Sequence, residues 1–213
     1  GILVPSRASV DSRARGGVEG GDGRSRRLEV LGTLRPELEG FGVVTGRHAE
    51  ILILLAAHPE GLPGGALAEL LAGGRLDEVS VRAEVSRLRR VLGPGAIASR
   101  PYRLAAEVIR TDASWVERLL ERDVPAAVAA YRGPLLPSSD APGVTELRDE
   151  LHARVRAAVL ASGSADALQA WVGGSGRDDP EAWRTLAAAP GVASRGRSVA
   201  ASMQRLLDDR LGV

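Results

Sequence analysis

SVRAEVSRLRRVLG, residues 80–93, puts an apolar stripe and four arginines on one short segment. Counted from Val81 at about 100° per residue, Val81, Val85, Leu88 and Leu92 fall within roughly 60° of each other. A stripe that narrow is the buried side of an amphipathic helix. Arg82, Ser86, Arg87, Arg89 and Arg90 lie opposite, between roughly 80° and 240°, with Glu84 on the flank near about 300°. The pattern predicts a helix over 80–92, capped by Ser80 and stopped at Gly93. A charged fan is ordinarily just a solvated face. Here it is almost purely of one sign, so the i,i+4 pairs that support an exposed helix are mostly missing. Like charges this close repel unless an anion is near. An α-helix fits the DNA major groove, and Arg is the side chain that forks onto guanine or grips phosphate.

The surroundings of this helix share its charge. Residues 75–103 hold seven Arg and three acids, net +4, although the whole chain of 213 residues is only +1. Such a local concentration points to an anionic partner more than the total does. All 28 cationic residues are Arg, which excludes a P-loop lysine, a Schiff base and a lysine general base. Cysteine is absent, which removes disulfides and thiolate metal sites and fits a cytoplasmic protein. No apolar run reaches the roughly 18 residues a membrane helix needs. The opening GILVPSRASV, residues 1–10, has no long apolar core, so no signal peptide is expected; the missing Met marks a trimmed chain or the tail of a longer one.

Around the charged helix the chain divides into three parts. Residues 1–27, with RARGGVEGGDGRSRR, read as a flexible Gly/Arg-rich linker: a disordered tail, or an Arg-rich arm touching phosphates. LEVL (28–31) and LRPELEGFGVVT (34–45) read as two or three short strands. Thr45 caps a first helix carrying Ile51, Leu52, Leu54 and Leu55. A second runs from Ala66 to Ala72 with no strong capping side chain before it. AIASRPYRLAAEVI, 96–109, reads as a hairpin of two strands around Arg100-Pro101. From Thr111 the pattern is helical. Val144, Leu147, Leu151, Val155 and Val159 make a strong apolar stripe, with Glu150 and Arg154 expected to pair outside it. Asp179 and Pro180 form a helix start.

Strands, then TGRHAEILILLAAHPEGL (45–62), LAELL (67–71), VSVRAEVSRLRRVLG (79–93) and RPYRL (100–104) resemble the winged helix of OmpR/PhoB-type response regulators. The likeness is closer still to the version in SARP-type antibiotic regulators, and covers about 28–108. DASWVERLLER (112–122), AAVAAYRGPLLP (126–137) and APGVTELRDELHARVRAAVL (141–160) resemble the start of the bacterial transcriptional activator domain that follows such winged helices. This combination is associated with regulators carrying a GAF-type sensor upstream. The implied fold is an α+β winged helix (N-terminal strands, three helices, C-terminal hairpin) over 28–108, followed by an all-α helical module over 109–213.

Position by position, the resemblance implies base-edge contacts for Arg82, Ala83 and Arg87, and phosphate contacts for Ser80, Ser86, Arg89 and Arg90. It implies a wing at 96–105, with Arg100 at the tip and Arg103 after the aromatic Tyr102. The tip SRPYRL lacks the usual glycine and is short. Double-stranded DNA is the implied partner, with RNA polymerase or a second copy of the chain (a homodimer) left to the helical part.

Other candidate chemistry is sparse. His48, His58 and His152 lie apart, outside any metal-binding pattern. GGSG at 173–176 lacks the strand and spacing of a nucleophile elbow. The carboxylates of GRDDPEAW, 176–183, suit a helix start. Trp115, Trp171 and Trp183 are expected core anchors. No enzyme, cofactor or metal is expected. The reading is a sequence-specific DNA-binding transcriptional regulator, the alternative a winged-helix interaction module for an acidic protein partner.

Overall fold

The computed structural model describes residues 25–105 and 108–211. Most of the expected linker, residues 1–24, lies outside them. Strand β1 (Arg26–Glu29) starts two residues earlier than the pattern suggested. It pairs antiparallel with β2 (Glu37–Leu38), and β2 pairs antiparallel with β3 (Gly42–Val43). Thr45 then caps α1 (Gly46–Ala57), its hydroxyl accepting from the His48 amide at 3.2 Å. Residues 49–55 of α1 are all buried, so this helix is the axis around which the others pack.

Helix α2 (Gly64–Ala72) begins two residues before the expected start and has no side-chain cap. The Glu78 carboxylate lies over this uncapped end. Side chains at Gly64 or Gly65 would come within 3.2 Å and 3.0 Å of its oxygens. Negative charge there complements the helix dipole. Helix α3 (Glu78–Leu92) is capped by Asp77, not by Ser80. Asp77 Oδ1 accepts from the Ser80 amide at 2.7 Å, and that bond holds its carboxyl below the usual range. Ser80 thus lies inside the first turn, and the extra residues lengthen the helix. The wing follows as β4 (Ile97–Ala98) and β5 (Arg103–Leu104), antiparallel in the expected place.

The chain then returns to the first sheet. Strand β6 (Ile109–Thr111) pairs parallel with β1, giving the order β3-β2-β1-β6. Nothing in the sequence pattern announced it, because three residues are too few to show alternation and Thr111 already caps the next helix. The helical part comprises α4 (Asp112–Leu120), α5 (Val124–Ala130), α6 (Pro142–Ser162), α7 (Ala165–Gly173), α8 (Pro180–Ala188) and α9 (Ser194–Leu211). Val144, Leu151, Val155 and Val159 are buried as expected, with Leu147 half-buried beside them.

One hydrophobic core runs through both parts, from Leu28 to Ala200. Asp112 joins them. Its buried carboxylate accepts from the Val30 and Leu31 amides at 3.1 Å each, and from Arg132 Nη2 at 3.1 Å. This raises the Arg132 guanidinium further above its ordinary value. Beside it Leu31 bridges Leu135, and Arg148 donates to the carbonyls of Leu135, Leu136 and Ser139 at 2.5–2.8 Å. Gly143 brings α6 against α1 and α2, where a Cβ would lie 2.8 Å from Leu54 and 2.9 Å from Leu70.

Two expectations fail in the helical part. Trp115 is 49% exposed, with Arg118 stacked over its ring at 5.3 Å, so only Trp171 is a fully buried anchor and Trp183 is half-buried. Arg154 pairs with Glu117 of α4 at 2.6 Å rather than with Glu150, because packing places α4 within its reach. Asp179 does begin α8, accepting from the Ala182 amide at 3.2 Å. It also accepts from Trp171 Nε1 at 3.3 Å and twice from Arg156, at 2.7 and 2.9 Å. Burial pushes its carboxyl upward, but these donors, Arg156 foremost, outweigh burial and hold it below the usual range.

Asp112→Ala leaves two buried amides without acceptors and should lower stability by about 3 kcal/mol in urea unfolding. The depressed carboxyl of Asp179 contributes stability above its ordinary value of 3.8, lost as pH falls through the lower native value. Asp179→Asn should therefore flatten the acid limb of a thermal stability profile.

Candidate nucleic-acid interface

The exposed side of α3 is built by its buried side. Val81, Val85 and Leu88 are fully buried and Leu92 nearly so, which fixes the helix against α1 and α2. Arg82, Ala83, Ser86, Arg87 and Arg90 are all exposed, while Ser80 and Arg89 are half-buried. Among the described residues, the side chains of Arg82 and Arg90 make no ion pair or hydrogen bond. Their guanidinium groups stand on the surface without a carboxylate to neutralise them.

Arg89 departs from the fan. Its Nε donates to the Ile97 carbonyl at 2.9 Å and its Nη2 to Ser99 Oγ at 2.6 Å. It ties α3 to the wing and keeps only part of its donor set for anything else. At the C-terminus of α3, Arg26 Nη1 donates to the Leu92 carbonyl at 3.3 Å, a cation placed where the helix dipole favours one.

The wing is the expected two-stranded hairpin, joined to the α1–α2 connection by one isolated bridge. Leu62, between α1 and α2, exchanges backbone hydrogen bonds with Tyr102 at 2.8 and 2.9 Å. Gly61 allows this approach: its φ is +91°, and a Cβ would meet the Tyr102 carbonyl at 2.8 Å. Arg100 occupies the tip with φ +62°, in the left-handed region where the usual wing has glycine. Arg100 and Arg103 are exposed, and neither side chain makes a hydrogen bond or ion pair among the described residues.

Sequence reading placed Glu84 on the flank and gave His48 no role. In the structure they meet. His48 Nε2 lies 3.2 Å from Glu84 Oε2, and Glu84 Oε1 accepts from Arg87 Nη1. The sequence signal for the second contact is the i,i+3 spacing of Glu84 and Arg87; the first joins residues 36 apart and has no local signal.

The remaining motifs serve packing. His58 Nδ1 lies 2.7 Å from the Leu54 carbonyl, and the His152 ring packs at a tilt against Tyr131 and Trp171. Burial pushes the Tyr131 hydroxyl up to about 12. GGSG forms the turn over Trp171, where a Cβ on Gly176 would collide with the indole. Among the described residues, no group of His, Asp and Glu could hold a metal ion. No described helix is long and apolar enough to cross a membrane.

These elements define a class of fold: an N-terminal mixed sheet with three helices and a hairpin, the arrangement of a winged helix, followed by an all-helical module. The same fold is found in EmbR of Mycobacterium tuberculosis, solved in complex with a low-affinity phosphopeptide. The TM-score is 0.54 at 22% identity, over 89% of this chain and 62% of that one. The 47.3 kDa protein in the thcA 5′ region of Rhodococcus erythropolis is 43% identical over 192 residues. That match takes in 88% of this chain but 44% of the relative, so the chain spans less than half of its length. Residues 164–213 match the family described as YTH3-like protein, third C-terminal helical domain.

Removing Arg89 should loosen the wing without unfolding α3. Arg89→Ala is expected to speed hydrogen exchange at the Ala96 and Ala105 amides about tenfold, a local loss of roughly 1.4 kcal/mol.

Proposed function

We propose that this chain is the DNA-binding part of a sequence-specific transcriptional regulator, with α3 lying in the major groove of duplex DNA. One observation carries the reading. A buried stripe holds α3 to the body, while its opposite face exposes Arg82, Ala83, Ser86, Arg87 and Arg90, with no covering element among the described residues. That is the geometry a groove requires: a rod of the right width with donors on its outer side. The fold shared with EmbR and the net positive charge of residues 75–103 support it.

In this reading Arg82, Ala83 and Arg87 face base edges. Ser80, Ser86, Arg90 and the spare donors of Arg89 meet phosphates. Arg100 and Arg103 carry the wing to the flanking backbone. The boundaries 28–108 and 109–213 then separate a reading part from a helical part that engages RNA polymerase or a second copy. The chain carries no catalytic role.

Titration with random genomic duplex tests the assignment. Affinity should fall linearly in log–log form with salt, by about 0.9 per phosphate contact. Arg90→Ala should weaken all sequences alike and lower that slope by about 1, whereas Arg87→Ala should cost ~1–3 kcal/mol at one base pair. A chain that binds no duplex even at low salt, yet retains an acidic protein partner, would overturn the reading in favour of an interaction module.

A further inference from the structure

The arginines of α3 are not equivalent. Arg82 and Arg90 are unpaired, but Arg87 is bound to a carboxylate, and that carboxylate is held from a different helix. The three side chains form a graded series from core to solvent: His48 is 15% exposed, Glu84 25% and Arg87 54%. The inner end is anchored. The His48 backbone amide is one of the two groups in the Thr45 cap, so the first turn of α1 is pinned where the imidazole leaves it. An ionised carboxylate only accepts hydrogen bonds, so Nε2 of His48 carries the proton that faces Glu84. Oε1 remains for Arg87.

We infer that His48 and Glu84 form a buttress that fixes the Arg87 guanidinium, so that a side chain of α1 sets the base selectivity of α3. This rests on the duplex-reading function proposed above. A guanidinium has five N–H donors in a rigid fork. Glu84 engages one nitrogen, leaving further N–H groups to face outward as the donor pair that guanine O6 and N7 accept. A free arginine side chain surrenders up to about 2 kcal/mol of rotamer freedom on docking; one already held loses less. The bound carboxylate also lowers the pull of Arg87 on phosphate, which suits a base reader better than a backbone clamp. Unpaired Arg90 has the opposite character. His48 and Glu84 are thus positioning residues, and Arg87 makes the contact.

The test uses the full chain. A preferred site is first selected from a random duplex library, and each base pair is then varied in competition binding. Arg87→Ala should lose discrimination at one pair, by about fivefold to a hundredfold. Glu84→Ala and His48→Leu should lose about threefold or more at that same pair and leave the others unchanged. His48→Gln, whose amide can still donate to Glu84, should restore it. Glu84→Gln, close in size to the native side chain, keeps one acceptor and should fall between, which guards against a misfolded alanine variant. Retained discrimination in Glu84→Ala and His48→Leu, with Arg87→Ala impaired, would overturn the buttress alone. So would a loss spread evenly over every base pair. If the native chain selects no site at all, the buttress and the DNA-reading function fall together.

Discussion

The Asp112 carboxylate is the point through which the two parts of the molecule are held in one frame. It is buried, and its charge is matched by the Val30 and Leu31 amides, just after β1, and by Arg132, which also reaches Glu29 at 3.4 Å. Around it run the Leu31–Leu135 bridge and the Arg148 clamp on the 135–139 carbonyls. Without an acceptor there, the segment that follows β1 would present buried donors to an apolar core, an arrangement proteins rarely tolerate. Because this polar centre is satisfied, the sheet, α1 and α6 share a single hydrophobic interior. The winged helix therefore does not hang from the helical part; it is packed into it.

The same logic reaches α3. Its four buried aliphatic residues fix the rod, Asp77 and Gly93 fix its ends, and Arg89 fixes the wing to it. The exposed arginines inherit their direction from these contacts. Rigidity on one side is what gives meaning to chemistry on the other: a fan on a loose helix would attract anions but discriminate none.

Much of this was legible from residue order. The period of Val81, Val85, Leu88 and Leu92 located α3 and its free face, and the longer stripe from Val144 to Val159 located α6. Thr45 and the Asp179-Pro180 pair marked helix starts because capping chemistry is local. What could not be read depended on partners distant in sequence. Trp115 looks like a core residue on its own helix, and only the packing of α4 turns it outward. Arg154 had Glu150 at the right spacing, yet Glu117 across the helix interface took it. Ser80 and Asp77 are both good caps, and the choice between them is made by where α2 releases the chain. On α3, the outward set from Arg82 to Arg90 was visible from angle alone. The diversion of Arg89 into the hairpin and the meeting of His48 with Glu84 were not.

The parallel pairing of β6 with β1 joins Arg26 to Ile109, across three helices and the hairpin. Such a closure carries a large loop entropy, and proteins dominated by such distant pairings fold slowly. The helices α1 to α3 pack on one another, but α1 and α2 also pack on α6, so this part of the core likewise waits for distant chain, as β1 waits for its neighbour. During synthesis the first sheet stays incomplete until Thr111 has emerged, and its Asp112 lock closes only when Arg132, 20 residues further on, is also available. The strand that opens the described chain thus finds its parallel partner only after the helix carrying the arginine fan has been made.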